Sequence, residues 1–192
     1  MVKIVLLSGS TRRDSVNTAV LETVRHILAG LPGEHEAVAL SVAELPFYEA
    51  ELERTDGSAA VRAAKELVAG ADALFISTPA YNGEMPGALK NALDWLSRGI
   101  GAPSPLTGKV TAVASASPGA RGGLDAQAGL AGVLERCGAR VVRHEPVAVG
   151  GAGALATEDG RYTDPELVER LASLTGALLA EVAEVADAKV LV

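Results

Sequence analysis

The segment Ser8-Gly9-Ser10-Thr11-Arg12-Arg13-Asp14-Ser15-Val16-Asn17 crowds four hydroxyls, one carboxamide and two guanidinium groups into ten residues, with a glycine near its start. Such a donor set suits an anion. A phosphomonoester carries about −1.5 to −2 charges, whereas the first turn of a helix offers only about half a positive charge. Backbone N–H groups and side-chain donors must supply the remainder. Hydrogen bonds to charged groups contribute roughly 1.5–3 kcal/mol each, and Ser10, Ser15, Asn17 and one arginine provide several. The simpler role for such a cluster is a helix N-cap made by Ser15 or Asn17; the density of donors and the paired arginines favour the anion. Competing phosphate motifs do not fit. No Gly-x-Gly-x-x-Gly follows, Gly108-Lys109-Val110 lacks the other P-loop residues, and no ribose-binding acid stands near Ser41-Val42. One terminal phosphomonoester, as in a mononucleotide, matches the loop.

A second segment, Thr78-Pro79-Ala80-Tyr81-Asn82-Gly83-Glu84-Met85-Pro86-Gly87, sets an aromatic residue and an Asn-Gly pair between two prolines. Asn-Gly tolerates positive φ, which turns backbone N–H groups towards a ligand lying close to the chain. Tyr81 adds a ring face or a hydroxyl, and Pro79 a flat apolar edge. This chemistry suits a planar ligand and equally an ordinary strand-to-helix corner.

The elements that must position these segments are legible as alternating apolar runs and amphipathic stretches. Strands are predicted at Val2–Leu7, Glu36–Val42, Ala73–Thr78, Lys109–Ser115 and Ala139–Val149. Between them, helices are predicted through Val20, Leu21, Val24, Ile27, Leu28 and Leu31, over Ala59–Ala71, after Pro86 through Leu89, Ala92, Leu93 and Leu96, and over Gly122–Cys137. A last helix starts at Asp164-Pro165, an N-cap followed by proline. Gly99–Gly108 reads as a Gly/Pro loop, and the Gly/Ala-rich stretch Gly150–Thr163 as a lid, a subunit contact or a surface loop. The alternation predicts one domain over residues 1–192, a doubly wound α/β sheet whose strand order periodicity does not reveal. Ligands of such sheets sit beyond the carboxyl ends of the strands, which directs attention to residues 8–17, 78–86 and 115–123.

Composition narrows the partners. Seventeen Lys and Arg against twenty-four Asp and Glu leave a net charge of −7. That argues against a nucleic-acid footprint and against an anionic membrane surface. No apolar stretch approaches the roughly 18 residues of a membrane span, and four apolar residues after Lys3 are too few for a secretory signal. The single cysteine, Cys137, excludes an internal disulfide and any metal site needing two cysteines. A reducing cytoplasm and no metal are expected. Cys137 shares a helical face with Leu130, Val133 and Leu134, as a buried structural thiol would. His26, His35 and His144 are expected at the surface. Trp95 falls off the face of its helix and is expected partly buried or at a partner subunit.

Gly9-Ser10-x-Arg12-x-x-Ser15-x-Asn17, together with Pro79-x-Tyr81-Asn82-Gly83-x-x-Pro86-Gly87-x-Leu89-Lys90-Asn91-Ala92-Leu93-Asp94-Trp95, resembles the NAD(P)H-dependent FMN reductase family, which includes bacterial quinone, azo-dye and chromate reductases. The resemblance implies a flavodoxin-like, three-layer αβα fold with a five-stranded parallel sheet in the order 2-1-3-4-5, and bound FMN. It implies that Ser10, Arg12, Ser15, Val16 and Asn17 hold the phosphate. Pro79, Ala80, Tyr81, Asn82 and Gly83 would line the isoalloxazine, with backbone N–H groups near its N5 and O4. Many members carry Glu, and some Gln, where this chain has Ala80, a departure that bears on ring-edge contacts rather than on FMN binding. Ser115-Ala116-Ser117-Pro118-Gly119-Ala120-Arg121-Gly122-Gly123 resembles the family's third flavin loop, with Ser115, Ser117 and Gly119 near the pyrimidine end; on its own it reads as a Gly-rich turn. It is not a nucleophile elbow.

The activity so implied passes hydride from NADPH or NADH through FMN to a quinone, azo, nitro or metal-oxyanion acceptor by a ping-pong mechanism. Hydride transfer demands no catalytic acid or base, so none is assigned. Arg13 and Arg121 are the candidates for reading a 2′-phosphate. The alternatives are a reductase that releases reduced FMN to a partner monooxygenase and a non-enzymatic, FMN-binding electron carrier. The resemblance also implies a homodimer or homotetramer formed in part by the helix of Trp95.

Overall fold

The computed structural model describes residues 1–55, 57–99, 103–155 and 157–190. Its strands are β1 (Val2–Ser8), β2 (His35–Leu40), β3 (Ala73–Thr78), β4 (Val110–Ala116), β5 (Arg140–Val141), β6 (Val147–Val149), β7 (Thr157–Glu158) and β8 (Arg161–Tyr162). The helices are α1 (Val16–Gly30), α2 (Ala50–Glu53), α3 (Ala59–Ala69), α4 (Gly87–Leu96), α5 (Leu124–Arg136) and α6 (Pro165–Val190). The main sheet runs β2-β1-β3-β4-β5 with every pairing parallel, the order implied by the resemblance. Among the described residues no helix is long and apolar enough to cross a membrane.

Side chains alternate between the two faces of a strand, so an apolar run fills two cores at once. Ile4 and Leu6 of β1 and Phe75 of β3 point into a core shared with α1 and α6. Val5, Leu7, Leu74 and Ile76 point into the other, closed by α3, α4 and α5. On β4 the first core receives Val110 at the start of the strand and then Ala112, Ala114 and Ala116, small enough for α1 and α6 to approach the sheet.

The structure corrects four expectations. The single fifth strand, Ala139–Val149, is two pieces. After Val142 donates its N–H to Thr111 the chain leaves the sheet, and it rejoins as β6, with Val147 opposite Ala114. The detour carries exposed Arg143 and Glu145, and Pro146 has no N–H to offer a ladder. Trp95 is buried within its own subunit: its Nε1 donates to the Pro46 carbonyl at 2.8 Å and its ring meets Tyr48 edge-on. Of the three histidines only His26 is exposed, while His35 and His144 are half-buried; His144 Nε2 lies 2.9 Å from Ser173 Oγ. Cys137 is half-buried against the second core rather than enclosed by it. Residues 100–102 of the Gly99–Gly108 loop and residue 156 of the Gly150–Thr163 stretch lie outside the described residues.

The Gly150–Thr163 stretch contains the β7–β8 hairpin, anchored by Tyr162. This side chain is 1 % exposed, its N–H donates to Thr23 Oγ1 at 2.9 Å, and its hydroxyl donates to the Ala152 carbonyl at 3.1 Å. Burial raises the Tyr162 phenol above its ordinary pKa. The folded state therefore keeps the neutral phenol while the unfolded chain ionises first, so stability is present below about pH 10 and falls as pH rises beyond it. Tyr162→Phe should lose about 0.5–1.5 kcal/mol for the missing hydrogen bond and show a shallower alkaline decline. Tyr162→Ala should lose about 3–5 kcal/mol. Urea unfolding at pH 8 and above pH 10 checks both.

Candidate functional site

Parallel pairing brings three strand ends to one level. Ser8 of β1 stands beside Ser77 of β3, Thr78 beside Ser115 of β4, and Ala116 beside Val149 of β6. The chain leaves this edge in three neighbouring loops. Gly9 donates its N–H to the Ser77 carbonyl at 2.8 Å, and a Cβ on Gly9 would lie 3.0 Å from Leu89 and 3.4 Å from Pro79. A Cβ on Gly123 would lie 3.4 Å from the Ala80 nitrogen and 3.2 Å from Ser115 Cβ. The first and third loops therefore both press on the second, and glycine permits it.

The first loop is wound by its own hydroxyls. Ser8 Oγ accepts from the Ser10 N–H, Ser10 Oγ from the Arg12 N–H, and Ser15 Oγ from the Asn17 N–H, each at 3.2 Å. A hydroxyl that accepts still has a proton to donate; among the described residues those of Ser10 and Ser15 have no acceptor, Ser10 being half-buried and Ser15 buried. Ser15 is the N-cap of α1, so the simpler role is real and leaves that donor in place. Arg12 and Arg13 are exposed; Arg12 donates to the Asp14 carbonyl at 3.2 Å, and Thr11 and Arg13 have no hydrogen-bond partner among the described residues. Val16 is half-buried and its carbonyl receives the Tyr162 hydroxyl at 3.4 Å. A cleft of about 260 Å³ opens here, with Ser10, Thr11 and Arg12 on one wall and Ser41 and Val42 on the other. Unpaired hydroxyl and guanidinium donors at a helix N-terminus fit a phosphomonoester.

Asn17 does not belong to that donor set. It is 0 % exposed, and its carboxamide is engaged by Ser77 and Ala116. Sequence reasoning placed it correctly beside the loop, but the side chain points into the sheet rather than towards an anion.

In the second loop Tyr81 and Glu84 exchange both backbone hydrogen bonds, at 2.8 and 3.1 Å, around Asn82 at φ 54° and Gly83 at φ 86°. Two successive left-handed residues make the tight turn that Asn-Gly favours. The N–H groups of Ala80, Asn82 and Gly83 have no partner among the described residues. Tyr81 is 55 % exposed, Ala80 half-buried and Pro79 buried. The Lys90–Trp95 part of the motif has a different task. Asn91 accepts from the Tyr48 N–H at 2.7 Å and donates to the Pro46 carbonyl at 2.9 Å, so with Trp95 it fastens the loop that follows β2.

The third loop is held by glycine and by Ser115. Gly122 sits at φ 60°, where a Cβ would stand 2.6 Å from Val149 backbone atoms. Ser115 is fully buried, donating to the Gly122 carbonyl at 2.7 Å and accepting from Gln127 Nε2 at 2.8 Å. Its hydroxyl is thus turned inward, away from any ligand. Gln127 also donates to the Val147 carbonyl at 3.0 Å, a role the sequence signalled only as a carboxamide on the buried face of α5. Ser117 accepts from the Gly119 N–H at 3.3 Å and keeps its own proton, and Gly119 is exposed. A wider cavity of about 680 Å³ lies beside these two loops, bounded by Gly83, Glu84, Arg121, Leu124, Val142 and Arg143.

Residues 2–154 match the family described as NADPH-dependent FMN reductase. The chain is similar to a quinone reductase of Escherichia coli K12, 36 % identical over 184 residues and covering 93 % of both chains. A 2-hydroxy-1,4-benzoquinone reductase of Burkholderia sp. is 37 % identical over 168 residues, covering 83 % of this chain and 88 % of its own. Among solved structures, the chain is similar to FerB, a flavoenzyme NAD(P)H:(acceptor) oxidoreductase from Paracoccus denitrificans, with 29 % identity, a TM-score of 0.84, and coverage of 96 % and 98 %.

Two of the glycines at positive φ, Gly83 and Gly122, predict different penalties. Gly83 has open space around it, so Gly83→Ala should lose only the left-handed backbone term, about 1–2 kcal/mol. Gly122→Ala adds a backbone clash and should lose clearly more. Urea midpoints of the two variants, measured side by side, check the order.

Proposed function

This chain belongs to the NADPH-dependent FMN reductase family, and we propose that it passes reducing equivalents from NADPH or NADH through FMN to a quinone by a ping-pong mechanism. It is an NAD(P)H-dependent flavin oxidoreductase. The observation that carries the finer reading is the pairing of unfilled donors in the first loop with a rigid, N–H-bearing turn in the second. FMN, when bound, would supply the hydride and two-electron chemistry.

The chain's residues bind and orient. Arg12 and the Ser10 and Ser15 hydroxyls hold the phosphate, supported by the Thr11 and Arg13 donors and by the N-terminus of α1. Backbone groups from Pro79 to Gly83 and around Ser117 and Gly119 face the ring. The turn's geometry comes from Asn82 and Gly83, so the absence of a longer side chain at Ala80 leaves it intact. The 680 Å³ cavity beside both loops is of ordinary ligand size. It gives nicotinamide and acceptor one place to occupy in turn, an arrangement compatible with ping-pong kinetics. Azo compounds, nitroaromatics and metal oxyanions are further acceptors in this reading, and the enzyme works in the cytoplasm as a homodimer or homotetramer.

Purified protein titrated with FMN should turn yellow, be bleached under anaerobic conditions by NADPH or NADH, and recover its colour on adding a quinone. Parallel double-reciprocal plots should follow. Bound FMN that neither nucleotide bleaches would indicate an electron carrier instead. Activity that appears only with excess FMN would indicate release of reduced flavin to a partner. Arg12→Ala should weaken FMN roughly 10- to 100-fold, the loss of one charge-assisted hydrogen bond, with riboflavin binding unchanged. Fluorescence titration of both flavins checks this.

A further inference from the structure

We propose that the buried carboxamide of Asn17 is a positioning residue that sets the spacing between the phosphate end and the ring end of the cofactor site. The inference rests on the assignment of FMN to the three loops.

Asn17 lies in the first turn of α1, directly after the phosphate loop, and is 0 % exposed. Its Nδ2 donates to the Ala116 carbonyl at 3.0 Å, and its Oδ1 accepts from the Ala116 N–H at 3.0 Å and from Ser77 Oγ at 2.9 Å. Ala116 is the last residue of β4 and Ser77 the last but one of β3, the roots of the two ring-side loops. The Ser77 carbonyl also receives the Gly9 N–H, the root of the phosphate loop. One side chain thus ties the start of α1 to the strands that launch both ring loops, across 99 residues of sequence.

Only a carboxamide completes this arrangement. The Ala116 peptide presents a donor and an acceptor side by side, and the amide head presents their complement. A carboxylate would set an acceptor against the Ala116 carbonyl. An apolar side chain would leave an N–H, a carbonyl and a hydroxyl buried without partners. The amide makes no contact with solvent, so its effect on a ligand must run through the spacing it imposes.

That spacing has a particular signature. FMN engages both ends at once, and its second contact is intramolecular, with an effective concentration set by the relative position of the two half-sites. Riboflavin, which lacks the phosphate, uses the ring end alone. Loosening α1 against β3 and β4 should therefore weaken FMN and spare riboflavin. A general loss of structure would weaken both by the same factor.

The test is fluorescence titration of full-length Asn17→Ala and Ser77→Ala with FMN and with riboflavin, alongside circular dichroism. Ser77→Ala removes one of the three hydrogen bonds and carries the comparison if Asn17→Ala does not fold. The expected result is a fall in FMN affinity of about tenfold for Asn17→Ala and a smaller fall for Ser77→Ala, with riboflavin affinity within twofold of the parent chain. Equal losses for the two flavins, or unchanged FMN affinity in a folded variant, would overturn the proposal. A parent chain that binds FMN no better than riboflavin would instead overturn the phosphate assignment on which it rests.

Discussion

Where β3 and β4 run out, their last residues are still buried, and a buried peptide group without a partner costs about 1–3 kcal/mol. The chain meets this constraint with side chains. Asn17 serves the Ala116 peptide, Ser115 takes the Gly122 carbonyl, and Gln127 joins Ser115 to Val147. Each of these bonds crosses from a strand to a helix or a loop. Together they hold three separate loops in one frame, and the ligand-facing surface inherits its shape from that frame.

Hydroxyls and glycines divide the remaining work. In the first loop, serine oxygens accept from the backbone two residues on, which winds the loop tightly and leaves the Ser10 and Ser15 hydroxyl protons without an acceptor among the described residues. In the second and third loops glycines let the backbone come close to its neighbours. Gly83 closes the turn, Gly122 lets the third loop lie against β6, and Gly123 lets it touch the second loop. The result is a polar cradle at one end and a surface of peptide edges at the other, which is what a phosphorylated planar ligand presents in complement.

The electrostatics are local in the same sense. The chain as a whole carries −7, so its overall field does not draw an anion in. Recognition of a phosphate has to come from groups at contact range, inside the roughly 8–10 Å over which salt leaves charges visible. Arg12, Arg13 and the N-terminus of α1 stand together within a few residues, and the acidic surface elsewhere keeps them distinct from a general anion-binding face.

The loops and the βα alternation were legible in the amino-acid sequence because they are written in short-range terms. Asn82-Gly83 encodes its own turn, Ser15 its own cap, and the apolar runs of β1, β3 and β4 announce strands covered on both sides. The strand order needed the family's motif and not periodicity, since periodicity describes a strand's faces and says nothing of its neighbours. What tertiary structure alone decided were the destinations of polar groups. Asn17 read locally as a ligand contact and Ser115 by resemblance to the family, yet both turn inward, because Ala116 and Gly122 lie within reach only after β4 and its loop have been laid down. Trp95 read as partly buried or as an anchor for a partner subunit, and Pro46 and Tyr48 of its own chain cover it. The predicted fifth strand is interrupted by a detour that carries exposed Arg143 and Glu145 and ends in Pro146, which has no N–H for a ladder. A hydrogen bond is specified by both its partners, and when they stand 99 residues apart neither shows where the other will be.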